Sequence, residues 1–302
     1  MPEAPIALFV YARPDHTRRT VASLLRNEGA QRSDLHVFSD AARTPQQQAA
    51  VAEVRAFLAG VRGFRSVRIV ERPANLGLAR SVIDGVGQVL AGSDRVIVLE
   101  DDMVTSPHFL RYMNEGLERF AGDERVASVH GYVYPVQGSL PEAFFLRGAD
   151  CWGWATWRRG WKLFNPDGQA LLDELTRRNL LRAFDFDGAH PYSDMLRNQI
   201  AGRNDSWAIR WYASAFLADK LTLYPGRSLV HNIGNDSSGT HAEATDSHDT
   251  EVSSTPIDLR AVPVEPSRQA RAAFEAFFRR ASGSLLQRTL RRARRAVARL
   301  AA

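Results

Sequence analysis

Through the first half of the chain, short apolar runs alternate with longer stretches in which apolar residues recur every three or four positions. The short runs predict strands at Ile6 to Tyr11, Leu35 to Ser39, Val67 to Val70 and Val96 to Leu99. The stretches between them predict helices near His16 to Asn27, Pro45 to Val61 and Leu76 to Leu90. Strands joined by crossover-length helices build a mostly parallel sheet flanked by helices, so the expected fold class is α/β. A further helix is expected to start at Ser106, a good capping residue, with Pro107 in the first turn and Phe109, Tyr112, Met113, Leu117 and Phe120 on its inner face.

The pattern changes after about residue 130, where the chain becomes aromatic and irregular and carries all six tryptophans between Trp152 and Trp211. Val126 to Val129, Phe144 to Leu146 and Leu221 to Leu223 read as further strands, and Asn235 to Ser253 is polar enough to be a loop or poorly ordered. From Ser284 onward, Leu286, Leu290, Ala293, Val297 and Leu300 recur at helical spacing among arginines, the pattern of a basic amphipathic helix. Residues 284–302 therefore allow either peripheral contact with an anionic membrane or a solvated terminal helix. The expected division is 1–130, 131–262 as the second half of the same domain, and a basic helical tail over 263–302.

At 302 residues and 44% apolar content the chain can bury a sizeable core. The lone Cys151 allows no intramolecular disulfide and no cysteine zinc site. No run of roughly 18 apolar residues is present, and the first residues lack a secretory pattern, so a cytoplasmic protein is expected. The net charge of +5 owes much to arginines beyond residue 276, which argues against a nucleic-acid surface on the body.

Candidate chemistry concentrates at Val96-Ile-Val-Leu-Glu-Asp-Asp102, where an apolar strand runs into Glu100, Asp101 and Asp102. An isolated acidic triplet is ordinarily solvated surface. Beyond the carboxyl end of a buried strand, where open α/β sheets bind ligands, it fits a site for Mn²⁺ or Mg²⁺ bridging to phosphates. Asp40 ends the second strand and should reach the same edge, either to bind a base or ribose or to cap a turn. Asn75-Leu-Gly77 follows the third strand as a tight turn with exposed backbone donors. No P-loop, no G-x-G-x-x-G after the first strand, no G-x-S-x-G and no H-E-x-x-H occurs, which removes the common NTPase, dehydrogenase and hydrolase frameworks.

Seven segments in order carry a resemblance: Phe9-Val-Tyr-Ala-Arg-Pro-Asp-His16, Phe38-Ser-Asp40, Asn75-Leu-Gly-Leu-Ala79, Val98-Leu-Glu-Asp-Asp102, Cys151-Trp-Gly-Trp154, Asp205-Ser-Trp-Ala-Ile-Arg-Trp211 and Asn232-Ile-Gly-Asn-Asp-Ser-Ser-Gly-Thr-His241. Together they resemble the bacterial relatives of glycosyltransferase family 2 and, more distantly, the N-acetylglucosaminyltransferase I group. The resemblance implies a GT-A, Rossmann-like fold with an aromatic-rich acceptor half. It implies a nucleotide-sugar donor, with a UDP-sugar first, and a glycan or lipid-linked acceptor. Tyr11, Arg13 and Asp40 would line the nucleotide pocket with Asn75 and Gly77, Glu100 and Asp101 would meet the ribose or donor sugar, and Asp102 would be the metal ligand, joined by His241 in preference to His231. Asp205 would take the acceptor proton, with Asp194 the fallback, and Trp154 with Trp152, Trp157 and Trp161 would shape the sugar pockets or pack the core. Two other readings stay open: a sugar-phosphate nucleotidyltransferase, against which the glycine-free Tyr11-Ala-Arg-Pro-Asp15 counts, and a non-catalytic sugar-nucleotide or glycan-binding module.

Overall fold

The computed structural model describes residues 3–236 and 248–281. Its first half is β1 (Ile6–Val10), α1 (Pro14–Leu25), β2 (Asp34–Ser39), α2 (Gln48–Ala59), β3 (Ser66–Glu71), α3 (Leu78–Gly92) and β4 (Arg95–Glu100). Next come β5 (Met103–Thr105), α4 (Phe109–Arg119), β6 (Val126–His130), β7 (Ala143–Arg147) and β8 (Trp154–Trp157). The aromatic region then supplies α5 (Arg158–Trp161), α6 (Gly168–Arg177), α7 (Leu181–Phe184), α8 (Tyr192–Ile200) and α9 (Trp207–Leu217), followed by β9 (Leu221–Pro225), β10 (Val230–Asn232) and α10 (Arg268–Ala281).

Eight strands form one sheet in the order β3-β2-β1-β4-β8-β6-β9-β7, while β5 and β10 make a separate antiparallel pair. The β1 to β4 strands run parallel, and β8 runs antiparallel to both β4 and β6. It follows that β6 points the same way as β4, and β9, parallel to β6, does too. Six strands therefore deliver their carboxyl ends to a single edge. The architecture is α/β, a mostly parallel Rossmann-like sheet flanked by helices.

Packing explains why the central strands read as continuous apolar runs. Residues Ile6 to Val10 of β1 are all buried, because α1 covers one face of the sheet and α3 the other. Close approach of α3 depends on Gly85, where an added Cβ would lie 2.5 Å from the Phe9 ring, itself stacked on Phe38 at 5.1 Å. On the far side α10 inserts Phe274, Phe277 and Phe278 into a second apolar cluster with Phe144, Phe184 and Tyr212.

Three expectations change. Tyr11 lies outside β1, with its N–H turned to Asp101 Oδ2 at 3.3 Å. The fourth helix starts at Phe109 rather than Ser106; the Ser106 hydroxyl accepts the His108 N–H at 3.2 Å in the turn before it and donates to the Ser253 carbonyl at 2.6 Å, pinning a later loop. The segment Trp154 to Trp157, which gives no alternation because all four residues are buried, is a central strand rather than irregular chain. In the polar stretch at 235–253, residues 248–253 form neither helix nor strand, and 237–247 lie outside the described residues. The basic segment 284–302 also lies outside them. Among the described residues no helix is long and apolar enough to cross a membrane.

Candidate active site

The carboxyl edge gathers most of the residues singled out above. As β4 ends, Glu100, Asp101 and Asp102 turn across the end of β1, whose next residues swing Arg13 back toward them. Arg13 bonds the Asp101 carboxylate and reaches Asp102 Oδ2 at 2.8 Å. The three side chains are only 18%, 5% and 11% exposed, so this is a partly buried charge cluster. Burial alone would loosen the Arg13 proton, but the two carboxylates outweigh it and keep the guanidinium charged. Burial also pushes the Asp102 carboxyl up, with Arg13 pulling the other way.

Glu100 keeps some exposure at residue level, yet its carboxyl is pushed up to about 8 by burial and then by Asp102 and Asp101. It also receives a hydrogen bond from the Trp207 side chain at the start of α9. At neutral pH Glu100 is thus largely protonated, and one guanidinium faces the Asp101 and Asp102 carboxyls. The other oxygen of Asp102, Oδ1, is buried with no hydrogen-bond partner. A buried, unpartnered carboxyl oxygen in a carboxylate-rich site suits a divalent cation, which in phosphate sites commonly takes one or two protein carboxylates plus substrate oxygens. Among the described residues no three His, Cys, Asp or Glu side chains converge to hold a metal by themselves. His241, expected as a second ligand, lies outside the described residues. The alternative His231 sits on β10 and directs Nδ1 to the Thr250 carbonyl at 2.9 Å.

Asp40 and the Asn75-Leu-Gly77 turn form one unit beside this cluster. The Asp40 carboxylate accepts the N–H groups of Ala41 at 2.9 Å, Leu76 at 2.9 Å and Gly77 at 3.0 Å, while Asn75 donates to the Ala41 carbonyl at 2.7 Å. The phenol of Tyr11 donates to Gln47 at 2.6 Å and accepts from the Arg43 N–H at 2.8 Å, joining the β1 and β2 loops. These bonds rigidify the rim on the β1 to β3 side.

On the opposite side, Ser206 caps α9 by accepting the Ile209 N–H at 3.2 Å, so Asp205, one residue earlier, is not the capping residue. Its side chain is 64% exposed and lies 3.3 Å from Arg210. Asp194 is paired with Arg197 on α8 at 3.2 Å. Trp154 is fully buried, with its indole packed among Trp161, Trp207 and Trp211 at centroid distances of 5.4–5.8 Å. It underlies the Trp207 that holds Glu100.

Three contributors were not anticipated. Gly234 passes so close to the cluster that a Cβ there would sit 2.2 Å from Asp102 Oδ2 and 3.1 Å from Arg13 Nη1. The neighbouring Ile233 N–H bonds the Asp102 carbonyl at 2.9 Å, and His16 holds Ile233 O at 3.2 Å and Asp236 at 3.1 Å. His16 and Asp236 lie in two of the quoted motifs, but only the fold brings them together. Trp207, which also lies in one of those motifs, is the third, through its bond to Glu100.

No family model matches the chain, and no curated protein matches it. Among solved structures, S. aureus TarS is 13% identical over 48% of this chain and 24% of its own, with a TM-score of 0.32. TarS 1-349 in complex with UDP-GlcNAc is 13% identical over 45% of this chain and 37% of its own, with a TM-score of 0.29. The mannosyltransferase PcManGT from Pyrobaculum calidifontis, in complex with GDP-Man and Mn2+, is 11% identical over 72% of this chain and 69% of its own, with a TM-score of 0.36. This chain thus spans about a quarter of TarS. Likenesses this weak do not identify what the chain acts on.

Proposed function

We propose that this chain is a metal-dependent glycosyltransferase that moves a sugar from a nucleotide-diphosphate sugar to a hydroxyl of a glycan or lipid-linked acceptor, with inversion at the anomeric carbon. The observation that carries the reading is the partly buried Glu100-Asp101-Asp102 cluster, braced by Arg13, with the buried, unpartnered Asp102 Oδ1. Asp102 would hold Mn²⁺ or Mg²⁺, which when bound offsets charge on the leaving diphosphate. Residues 1–130 would serve as the donor half and 131–262 as the acceptor half. Arg13 steadies both aspartates, and its charge adds to the attraction for phosphate. The Asp40-braced turn presents the rim against which a base and ribose would lie. Glu100, protonated at neutral pH, can donate a hydrogen bond to a donor hydroxyl as well as accept from Trp207.

Displacement at the anomeric carbon requires a base on the acceptor side, and exposed Asp205 at the mouth of α9 is the carboxylate assigned to it. It abstracts the acceptor hydroxyl proton as the new glycosidic bond forms and the bond to the diphosphate oxygen breaks. Calorimetry with a panel of nucleotide sugars, UDP-sugars first, with and without Mn²⁺, tests donor and cation together. In the same assay Asp205→Asn should keep cation-dependent donor binding while losing turnover by about 100-fold or more. Absence of binding by every nucleotide sugar with either cation refutes the assignment.

A further inference from the structure

A groove of about 360 Å³ lies between the last turns of α3 and the short helix α5, lined by Gly87, Leu90, Ala91, Arg158, Trp161 and Lys162. Strand β8 runs antiparallel to β4 and ends with Trp157 beside Arg95, so α5 starts at the edge of the sheet opposite Glu100, Asp101 and Asp102. The groove is therefore separate from the candidate active site. Its aromatic wall is fixed: the Trp161 ring stacks on Phe164 at 4.7 Å and packs against Trp154 and Trp211 at 5.6 and 5.3 Å. Gly87 keeps the space open, since a Cβ there would meet nothing within 4 Å. Arg158 is pinned over the end of α3, donating from Nε to the Leu90 carbonyl at 2.8 Å and from Nη2 to the Ser93 carbonyl at 3.1 Å, and it pairs with Asp94 at 3.2 Å. Asp84, one turn before Gly87, is taken by Arg72. Lys162 is exposed and, among the described residues, has no ion-pair partner. An apolar slot with one unmatched positive charge results.

We propose that this groove is a second ligand site, for a small aromatic monoanion: one planar ring set against Trp161, Leu90 and the bare Gly87 backbone, with its carboxylate on Lys162. Size decides between a small molecule and a protein partner. Six residues around about 360 Å³ match a small-ligand site, whereas a stable protein interface needs about 800 Å² on each partner. Polarity decides between an aromatic ring and a sugar, because a hydroxyl-rich ring needs several hydrogen-bond partners. Beyond the Trp161 N–H the lining offers Arg158 and Lys162, and Arg158 is already committed to two carbonyls and Asp94. Charge decides the rest: one unmatched ammonium balances one carboxylate, and a nucleoside diphosphate would bring more negative charge than the groove can offset. The indole supplies the stacking face. The site follows from its own residues and stands whether or not the chain transfers sugar.

Fluorine NMR on the full chain with 4-fluorophenylacetate, and with 4-fluorophenylacetamide as its uncharged match, tests the proposal. The acid should bind with a Kd of about 1 mM, the range for a ligand of this size, and the amide roughly fivefold more weakly, the worth of one exposed ion pair. Gly87→Phe fills the groove from a position with open space around it and should weaken the acid roughly tenfold or more. Lys162→Glu should weaken the acid roughly fivefold or more and leave the amide unchanged. If Gly87→Phe does not fold, shown by loss of its melting transition, Lys162→Glu at its exposed position carries the test. No binding of the acid by the native chain up to about 10 mM, equal binding of acid and amide, or unchanged binding in either folded variant overturns the site. Displacement of the probe by UDP-GlcNAc with Mg²⁺ would place it at the donor cluster and overturn the site as well.

Discussion

Replacing Arg13 by Gln removes the positive charge that faces Asp101 and Asp102 and leaves two carboxylates close together, 5% and 11% exposed. Breaking one side of a buried ion pair costs about 3–5 kcal/mol, because the stranded charges have already lost their water. Glu100 does not add to the repulsion at neutral pH, since its carboxyl is pushed up to about 8. At roughly 2–3 °C per kcal/mol for a domain of this size, the melting temperature should fall by roughly 6–15 °C. The same variant should gain more from Mn²⁺ than the native protein does, because a divalent cation on Asp102 Oδ1 supplies the missing charge. Differential scanning calorimetry in chelator and in Mn²⁺, with no nucleotide present, reads both effects. A variant that melts with the native protein, or that gains no more from Mn²⁺, would show that charge crowding does not govern this site.

Gly234→Ala should abolish cation-dependent donor binding and destabilise the fold by about 1–3 kcal/mol, since its Cβ would fall 2.2 Å from Asp102 Oδ2; calorimetry and urea melts measure the two. Asp40→Ala leaves the N–H groups of Ala41, Leu76 and Gly77 without their acceptor, so urea denaturation should report a loss of about 2–4 kcal/mol, with Asp40→Asn recovering part of it. For pH, burial and then His248 hold His190 down at about 4, and burial also lowers His130. These imidazoles stay neutral in the fold but protonate when unfolded, so stability is fully present above about 6.5 and declines as pH falls from there toward 4, by at most about 3 kcal/mol for His190. Melting curves between those limits should show a shallower decline in His190→Phe than in the native chain.

The alternation of short and long apolar periods was enough to place the first four strands and the helices between them, because each central strand is covered on both faces and needs an unbroken apolar run. The same logic located Glu100, Asp101 and Asp102, since acids that follow such a run must emerge at the strand's carboxyl end. That Asp40 and the Asn75-Leu-Gly77 turn share this edge also follows from parallel strands.

In the second half the strands at Val126, Phe144 and Leu221 were legible as short apolar runs, but the aromatic region between them resisted this reading because its signals are not periodic. Trp154 to Trp157 form a fully buried strand between two antiparallel neighbours, so they show no polar face to count. Contacts over long sequence separations were decided only by the folded chain. Arg13 reaches Asp102, Trp207 reaches Glu100, Gly234 closes over the cluster, and His130 meets Asp150, each pair separated by loops whose course no local pattern specifies. Local composition sets which residues can form a strand, a helix or an acidic turn. Which of them become neighbours depends on how the sheet orders its strands, and that order is fixed by burying every apolar face at once.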